Sequence, residues 1–168
     1  MRAPAGLELR VQEEGAGPIC AEVLAALPAW FGLPDPVAAY VAAADTHPTV
    51  VAALEGHDSG VLTLGVHSPY AAEILVMGVL PEHHRTGVGR ALLGGAESWL
   101  AARDIEFLQV KTLSPRHPDP GYAATRAFYF ACGFRPLEEM PALWGPDQPA
   151  LQMIKTVAPP ATPVRVDP

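Results

Sequence analysis

Cysteine is scarce in this chain. Only Cys20 and Cys132 occur in 168 residues, too few and too far apart for a disulfide framework or a thiolate metal set. Two reduced, buried thiols are the expectation. Basic side chains are also few. Eleven Lys and Arg stand against 18 Asp and Glu, a formal charge of −7. Phosphate backbones need a basic face, so no nucleic-acid partner is expected. An acidic balance would instead suit a cationic amine. No apolar run reaches the ~18 residues needed to span a bilayer. The opening Met1-Arg2-Ala3-Pro4-Ala5-Gly6 leads into no secretory segment. A cytoplasmic protein without a membrane partner follows as the default. No two histidines have helical i, i+4 spacing with a supporting acid, so no metal is expected.

What is present points to an ordered body. Apolar residues make up 49% and charged residues 17%, a balance that argues against disorder. The length fits one domain with a sizeable core, spanning 1–157. Ala158 to Pro168 is rich in proline and is expected to be a mobile tail. No repeat is visible.

Leu7 to Val11 alternates at period two and predicts a first strand. Pro18–Leu27 and Pro34–Ala44 predict helices, separated by Ala29-Trp30-Phe31-Gly32-Leu33. Strands follow over Thr49–Leu54 and Val61–Val66, around a turn-rich loop from Glu55 to Gly60. Glu73–Leu80 is the next strand. A helix begins at Thr86 or Gly87 and ends at Ala102, with Val88, Ala91, Leu92, Ala96, Trp99 and Leu100 at helical spacing. Glu106–Thr112 is a strand. In the loop Ser114 to Gly121, the prolines argue against helix or central strand. Tyr122–Cys132 is a helix capped by Gly133. Phe134–Glu139 and Ala150–Val157 complete the set, giving β-α-α-β-β-β-α-β-α-β-β.

The richest segment is Pro81-Glu82-His83-His84-Arg85-Thr86-Gly87-Val88-Gly89-Arg90. An apolar strand ends, a polar loop carries two glycines one residue apart, and an amphipathic helix begins at once. Backbone N–H groups at such a helix N-terminus make an anion site. Glycines let the main chain approach that anion closely. A Walker A loop would need Gly-Lys-Ser/Thr, and Arg90-Ala91 is not that. A dinucleotide fingerprint needs a third glycine at fixed spacing, which Ala91-Leu92 breaks.

Together with Ala72-Glu73-Ile74-Leu75-Val76-Met77-Gly78-Val79 upstream and Thr125 to Phe134 downstream, this loop resembles that of the GCN5-related N-acetyltransferase (GNAT) superfamily. The resemblance is strongest from Glu73 to Pro136. His84 stands where that family usually has Gln or Arg. The resemblance implies an α/β fold: a twisted, mixed central sheet of about six to seven strands, helices on both faces, and two central strands splayed at Glu73–Leu80 and Glu106–Thr112. It implies acetyl-CoA as co-substrate and an amine as acceptor, with direct attack in a ternary complex. A non-catalytic acyl-CoA sensor or scaffold of the same fold is the alternative. A homodimer is possible.

The resemblance also implies roles for residues. Met77, Gly78 and Val79 would pair with the pantetheine arm, the Val79 N–H serving as oxyanion donor. His84, Arg85, Thr86, Gly87, Val88, Gly89 and Arg90 would form the pyrophosphate loop. Tyr129, four residues before Gly133, would protonate the departing thiolate. A phenol, with pKa near 10, keeps its proton until such a thiolate develops. A core aromatic beside Phe128 and Phe130 is the other reading of Tyr129. Glu73 would be the base; an exposed strand-edge charge is the other reading there. Trp30, Phe31, Tyr70, His117 and Trp144 would shape the acceptor pocket or simply anchor loops.

Overall fold

A computed structural model describes residues 3–157. Its elements run β1 (Leu7–Gln12), α1 (Gly17–Ala25), α2 (Pro34–Thr46), β2 (Thr49–Leu54), β3 (His57–Val66), β4 (Ala71–Val79), a 3-10 turn (Pro81–His83), α3 (Val88–Ala101), β5 (Phe107–Leu113), α4 (Pro120–Ala131), β6 (Arg135–Met140) and β7 (Ala150–Thr156). The order is the expected one. The tail from Ala158 lies outside the described residues. The strands form one sheet, β1-β2-β3-β4-β5-β7-β6. Only β4 and β5 pair in parallel; the other neighbours are antiparallel. The sheet is therefore mixed, and α3 supplies the crossover that a parallel pair requires. No helix among the described residues is long and apolar enough to cross a membrane.

Strand side chains alternate faces, and the two cores divide accordingly. Val50, Ala52, Leu62 and Leu64 point to the face packed by α3 and α4, where Leu92, Leu100, Tyr129 and Phe134 are buried. Val51, Val61 and Val76 point to the opposite face, against Cys20, Val23, Leu24 and Leu27 from α1 and its C-terminal turn. Burying one such aliphatic side chain contributes roughly 1.5–3 kcal/mol. Helices thus cover both faces of an α/β sheet.

Two expectations about loops are corrected. The hairpin after β2 is not a six-residue loop. Glu55 and Gly56 alone turn the chain, at φ 51° and 81°, the two left-handed residues of a tight hairpin turn. The polar run His57-Asp58-Ser59 therefore belongs to β3, where Arg10 of β1 pairs with Asp58 at 2.8 Å. Nor do the prolines hold back α4 until Tyr122. Asp119 caps the helix, accepting from Gly121 N at 2.7 Å and Tyr122 N at 3.2 Å, and Pro120 takes the first helical position, where a missing N–H costs nothing.

The feature that positions the site lies in β4. Val76 faces Thr63 and Ile74 faces Leu64, so Leu75 is an extra residue, a bulge. Ile74 and Val76, two residues apart, consequently face opposite cores. A bulge bends its strand and increases the local twist. Pairing of β4 with β5 stops at this place: the register runs from Ala71–Phe107 to Ile74–Val110 and no further. The second half of β4 leaves its neighbour, and a gap opens in the middle of the sheet.

Candidate active site

Backbone groups along that gap have known directions. Leu80 N–H donates to Ser59 O at 2.9 Å, toward β3. Groups on successive residues of an extended chain point to opposite sides. Val79 and Met77 therefore aim their N–H and C=O groups into the gap, while Gly78 aims back at β3. The His84 side chain agrees with the direction of Val79: its Nε2–H donates to Val79 O at 2.7 Å. Gly78 is fixed by packing, since a Cβ there would sit 3.1 Å from both Val23 and Leu27 of the α1 layer.

The loop after β4 presents donors. Arg85 and Gly87 both adopt left-handed backbone, at φ 62° and 101°. Such a conformation is costly for a non-glycine residue and is held here by the surrounding turn. Thr86 Oγ1 donates to His83 O at 2.7 Å and ties the loop. Gly87 is the N-cap of α3, and no side chain caps that end. The first helix bond is Ala91 N to Gly87 O at 3.0 Å. The N–H groups of Val88, Gly89 and Arg90 precede it and point out of the helix end, where an anion is favoured. A Cβ at Gly89 would meet Met77 Cε at 3.3 Å and Phe128 at 3.5 Å. The glycine leaves a cradle that a side chain would fill.

Gap and loop open into one cavity of about 1040 Å³. Its lining includes Met77, Gly78, Val79, His84, Arg85, Gly87, Gly89 and Arg90 from the expected set. Tyr129 lines it too, although only 5% of its surface is exposed. The ring rests on Phe128 and Phe134, with centroids 5.4 and 5.2 Å away. Burial pushes the Tyr129 phenol well above the ordinary tyrosine value, with a smaller contribution from Cys132. Arg126, three residues earlier, is itself buried. It donates to Leu113 O at 2.8 Å and Ser114 O at 3.2 Å, pinning α4 to the end of β5.

Not every expected residue lines the cavity. Glu73 does not line the cavity and is not an exposed edge charge. It is 9% exposed, and both carboxylate oxygens are engaged: Lys111 Nζ reaches Oε1 at 2.7 Å and His67 Nε2 reaches Oε2 at 2.7 Å. His84 makes no cap bond to α3; its ring sits edge-on to Trp30 at 5.9 Å. Trp30, Phe31 and Trp144 line the cavity. Tyr70 lies at the other end of the sheet, 62% exposed, with its carbonyl accepting from Glu106 and Phe107 N–H where β5 begins. His117 stands behind the wall. Its Nδ1 accepts from Asp119 N at 3.3 Å and its ring packs on Tyr122 at 6.3 Å.

The cavity also takes residues that sequence reasoning passed over: Lys111 and Thr112 of β5, Tyr40 of α2 and Tyr122 of α4. Lys111 had a signal, being one of two lysines in the chain and sitting inside an apolar strand. Thr112 had none. Its Oγ1 is buried without a hydrogen-bond partner. An orphaned buried hydroxyl is costly, and one in a cavity wall fits a site completed by a ligand. Open strand amides, an uncapped helix end, the Gly89 cradle and this hydroxyl together suit a long, polar-ended molecule bearing a diphosphate.

Comparison with known proteins decides the family. The sequence pattern described as "Acetyltransferase (GNAT) domain" matches residues 45–136, more than half of the chain. The chain belongs to the GNAT family. No curated protein matches it. Among solved structures, a GNAT-family protein from Desulfovibrio desulfuricans is 19% identical, with TM-score 0.78, covering 90% of this chain and 99% of that one. The ribosomal-protein-S18-alanine N-acetyltransferase of Escherichia coli is 16% identical, with TM-score 0.71, covering 94% and 99%. A GNAT acetyltransferase from Elizabethkingia anophelis, solved with acetyl-CoA bound, is 13% identical, with TM-score 0.71, covering 91% and 99%. At these identities the likeness is one of fold. The matched family pattern covers the bulged strand, the donor loop and α4, the elements that build the site of this GNAT acetyltransferase.

Proposed function

We propose that the protein moves an acetyl group from acetyl-CoA to a primary amine in a ternary complex, with the two reactants meeting in the gap between β4 and β5. The observation that carries this reading is a coincidence in space. The strand pairing ends at Ile74–Val110, and the uncapped end of α3 and the Tyr129 ring line the same cavity.

When bound, acetyl-CoA supplies an activated thioester with a thiolate leaving group. The N–H groups of Val88, Gly89 and Arg90 hold the diphosphate, and the Arg85 and Arg90 guanidinium groups add positive charge beside it. Met77 and Val79 receive the pantetheine arm as an extra strand would be received. The Val79 N–H stabilises the oxygen on which charge develops, a fixed donor in a partly dry site. His84 then gives up the Val79 carbonyl to the arm.

The Tyr129 phenol remains protonated throughout the working pH range because burial raises its pKa. It donates to the sulfur as negative charge builds there, and its proton follows. A lysine-type amine, with pKa about 10.4, must lose a proton before attack. Glu73 does not line the cavity and the Lys111 ammonium beside it has no lone pair to accept a proton, so water in the cavity takes that proton and Glu73 serves to hold Lys111.

Titrating the protein with acetyl-CoA while following Tm tests the binding half. Ligand at 100 times Kd stabilises the native state by about 2.7 kcal/mol. Release of free thiol on adding an amine tests the catalytic half. No shift and no thiol would reject the assignment.

A further inference from the structure

The acceptor half of the cavity has a definite chemical character. Its walls are Trp30, Phe31, Tyr40, Tyr122 and Trp144, drawn from the α1–α2 connection, α2, α4 and the segment before β7. Four of them are held in place. Trp30 packs against the start of α4, where a Cβ on Gly121 would lie 3.4 Å from its ring. Phe31 meets Tyr40 edge-on at 5.8 Å. The Tyr122 hydroxyl is engaged, donating to Trp30 O at 3.4 Å.

Charge in the cavity is one-sided. Among the described residues, no aspartate or glutamate lines it, whereas Arg85, Arg90 and Lys111 do. Two carboxylates close to lining residues are already engaged. Asp119 caps α4, and Glu73 is shared by Lys111 and His67. The formal charge of −7 therefore does not make an anionic acceptor pocket. A second ammonium group on an acceptor would lose its hydration, find no counter-charge and face Lys111. Unpaired charge is expensive to bury. Rigid aromatic walls instead reward a flat apolar group.

We infer that the acceptor is a small aromatic amine with a single cationic centre, its other polar groups neutral or acidic. This rests on the proposed acetyl-CoA reading and sharpens it. Lys111, with two N–H donors left beyond Glu73, is the partner for a carboxylate or carbonyl on such a molecule.

The test uses the whole protein and two measurements. Tm is first followed with coenzyme A alone, then with coenzyme A saturating and tryptamine, phenethylamine, tryptophan, spermidine or kanamycin added. Thiol release from acetyl-CoA is measured with the same five amines. At least one aromatic probe should raise Tm further and exceed both polycations in kcat/KM by more than about tenfold, the discrimination an apolar pocket of this kind supplies. Equal or better turnover of spermidine or kanamycin overturns the inference, as does failure of every aromatic probe to add to the coenzyme A shift. Absence of a shift with coenzyme A itself fells the underlying assignment first and this one with it.

A variant gives an independent arm. Leu33 lines the cavity, is 59% exposed and occupies the N-cap of α2, where no side chain caps the helix. Aspartate is favoured at such a position, so Leu33→Asp adds a carboxylate to the rim without threatening the fold. It should raise kcat/KM for spermidine by about threefold, the scale of a partly exposed ion pair. An unchanged or lower value contradicts the charge argument.

Discussion

Replacing Tyr129 by phenylalanine separates the two roles that its surroundings permit. The substitution keeps the ring, and with it the edge contacts to Phe128 at 5.4 Å and Phe134 at 5.2 Å. Only the hydroxyl is lost, so stability should change by less than about 1 kcal/mol. If the phenol protonates the departing sulfur, its loss should lower kcat by roughly 100- to 10,000-fold. That corresponds to about 2.7–5.4 kcal/mol in the barrier. Binding of acetyl-CoA at the α3 N-terminus does not use the hydroxyl, so the ligand-induced rise in Tm should persist. The assay is thiol release under saturating acetyl-CoA and amine, run beside thermal melts with and without ligand. A kcat within threefold of the parent protein refutes the acid role. A large fall in Tm accompanying the fall in kcat would assign Tyr129 to packing. Because burial raises the phenol pKa, loss of the Tyr129 proton should not limit activity below about pH 10.

Gly89→Val should abolish the acetyl-CoA shift in Tm while leaving a folded protein, because its new carbons would press on Met77 Cε and Phe128, 3.3 and 3.5 Å from the Cβ position; a retained shift would place the diphosphate elsewhere. Arg126→Met leaves the carbonyls of Leu113 and Ser114 unpaired, a loss of roughly 3 kcal/mol that melting curves should register as a fall of roughly 6–12 °C. Alkali should destabilise the fold. Burial pushes the Cys20 thiol up to about 11 and raises Cys132, Tyr40 and Tyr122 as well, so the unfolded chain releases protons first. Stability is then fully present below about pH 8.5, where unfolded thiols begin to ionise, and falls as pH rises toward 11; denaturant titrations at pH 7, 8, 9 and 10 would show the opposite trend if these groups were exposed. Glu73→Gln should lower kcat by less than about tenfold and leave the acidic limb of its pH profile in place, since Lys111 and His67 already occupy the carboxylate; disappearance of that limb would make Glu73 the base.

Element order was legible because each element is bounded by residues with mechanical consequences. Gly87 marks the start of α3 since it must adopt φ 101°, and Gly133, at φ 92°, closes α4. Local conformational demands of this kind show in the residue types themselves. Partners across the sheet do not. Glu73 looks like an edge charge when its own strand is read, because the lysine that neutralises it lies 38 positions later. Tyr70 and His117 failed as wall residues for a related reason. Loop composition says that a segment turns, but not toward which end of a parallel pair it turns. Tyr70 lies just before β4, and the cavity lies at the other end of that strand. The hairpin and α4 boundaries differ from expectation because composition marks polar residues and prolines as loop, whereas Glu55-Gly56 and Asp119-Pro120 act through backbone geometry.

The bulge at Leu75 shows why the donor loop stood out in the residues themselves, while the gap beside it was expected only through the family resemblance. Ala71 to Val79 is apolar nearly throughout, since both faces of β4 are covered, and a strand buried on both sides loses the alternation that reveals register. One inserted residue leaves such a pattern unchanged, yet it sends Ile74 and Val76 to opposite cores. It does so at the last pair that β4 makes with β5. Below the bulge the sheet satisfies its own hydrogen bonds. Above it Met77 and Val79 turn theirs into the gap, and the Thr112 hydroxyl is left without a partner. Unsatisfied buried groups are tolerated where something else completes them. The chain therefore gives up sheet stability at one place to keep a row of donors and acceptors open, and the donor loop begins where that row ends. Closing the gap by deleting Leu75 should restore strict alternation in β4, displace Val76 from the α1 core and remove acetyl-CoA binding. A Leu75 deletion that still melts higher with acetyl-CoA would separate the bulge from the site.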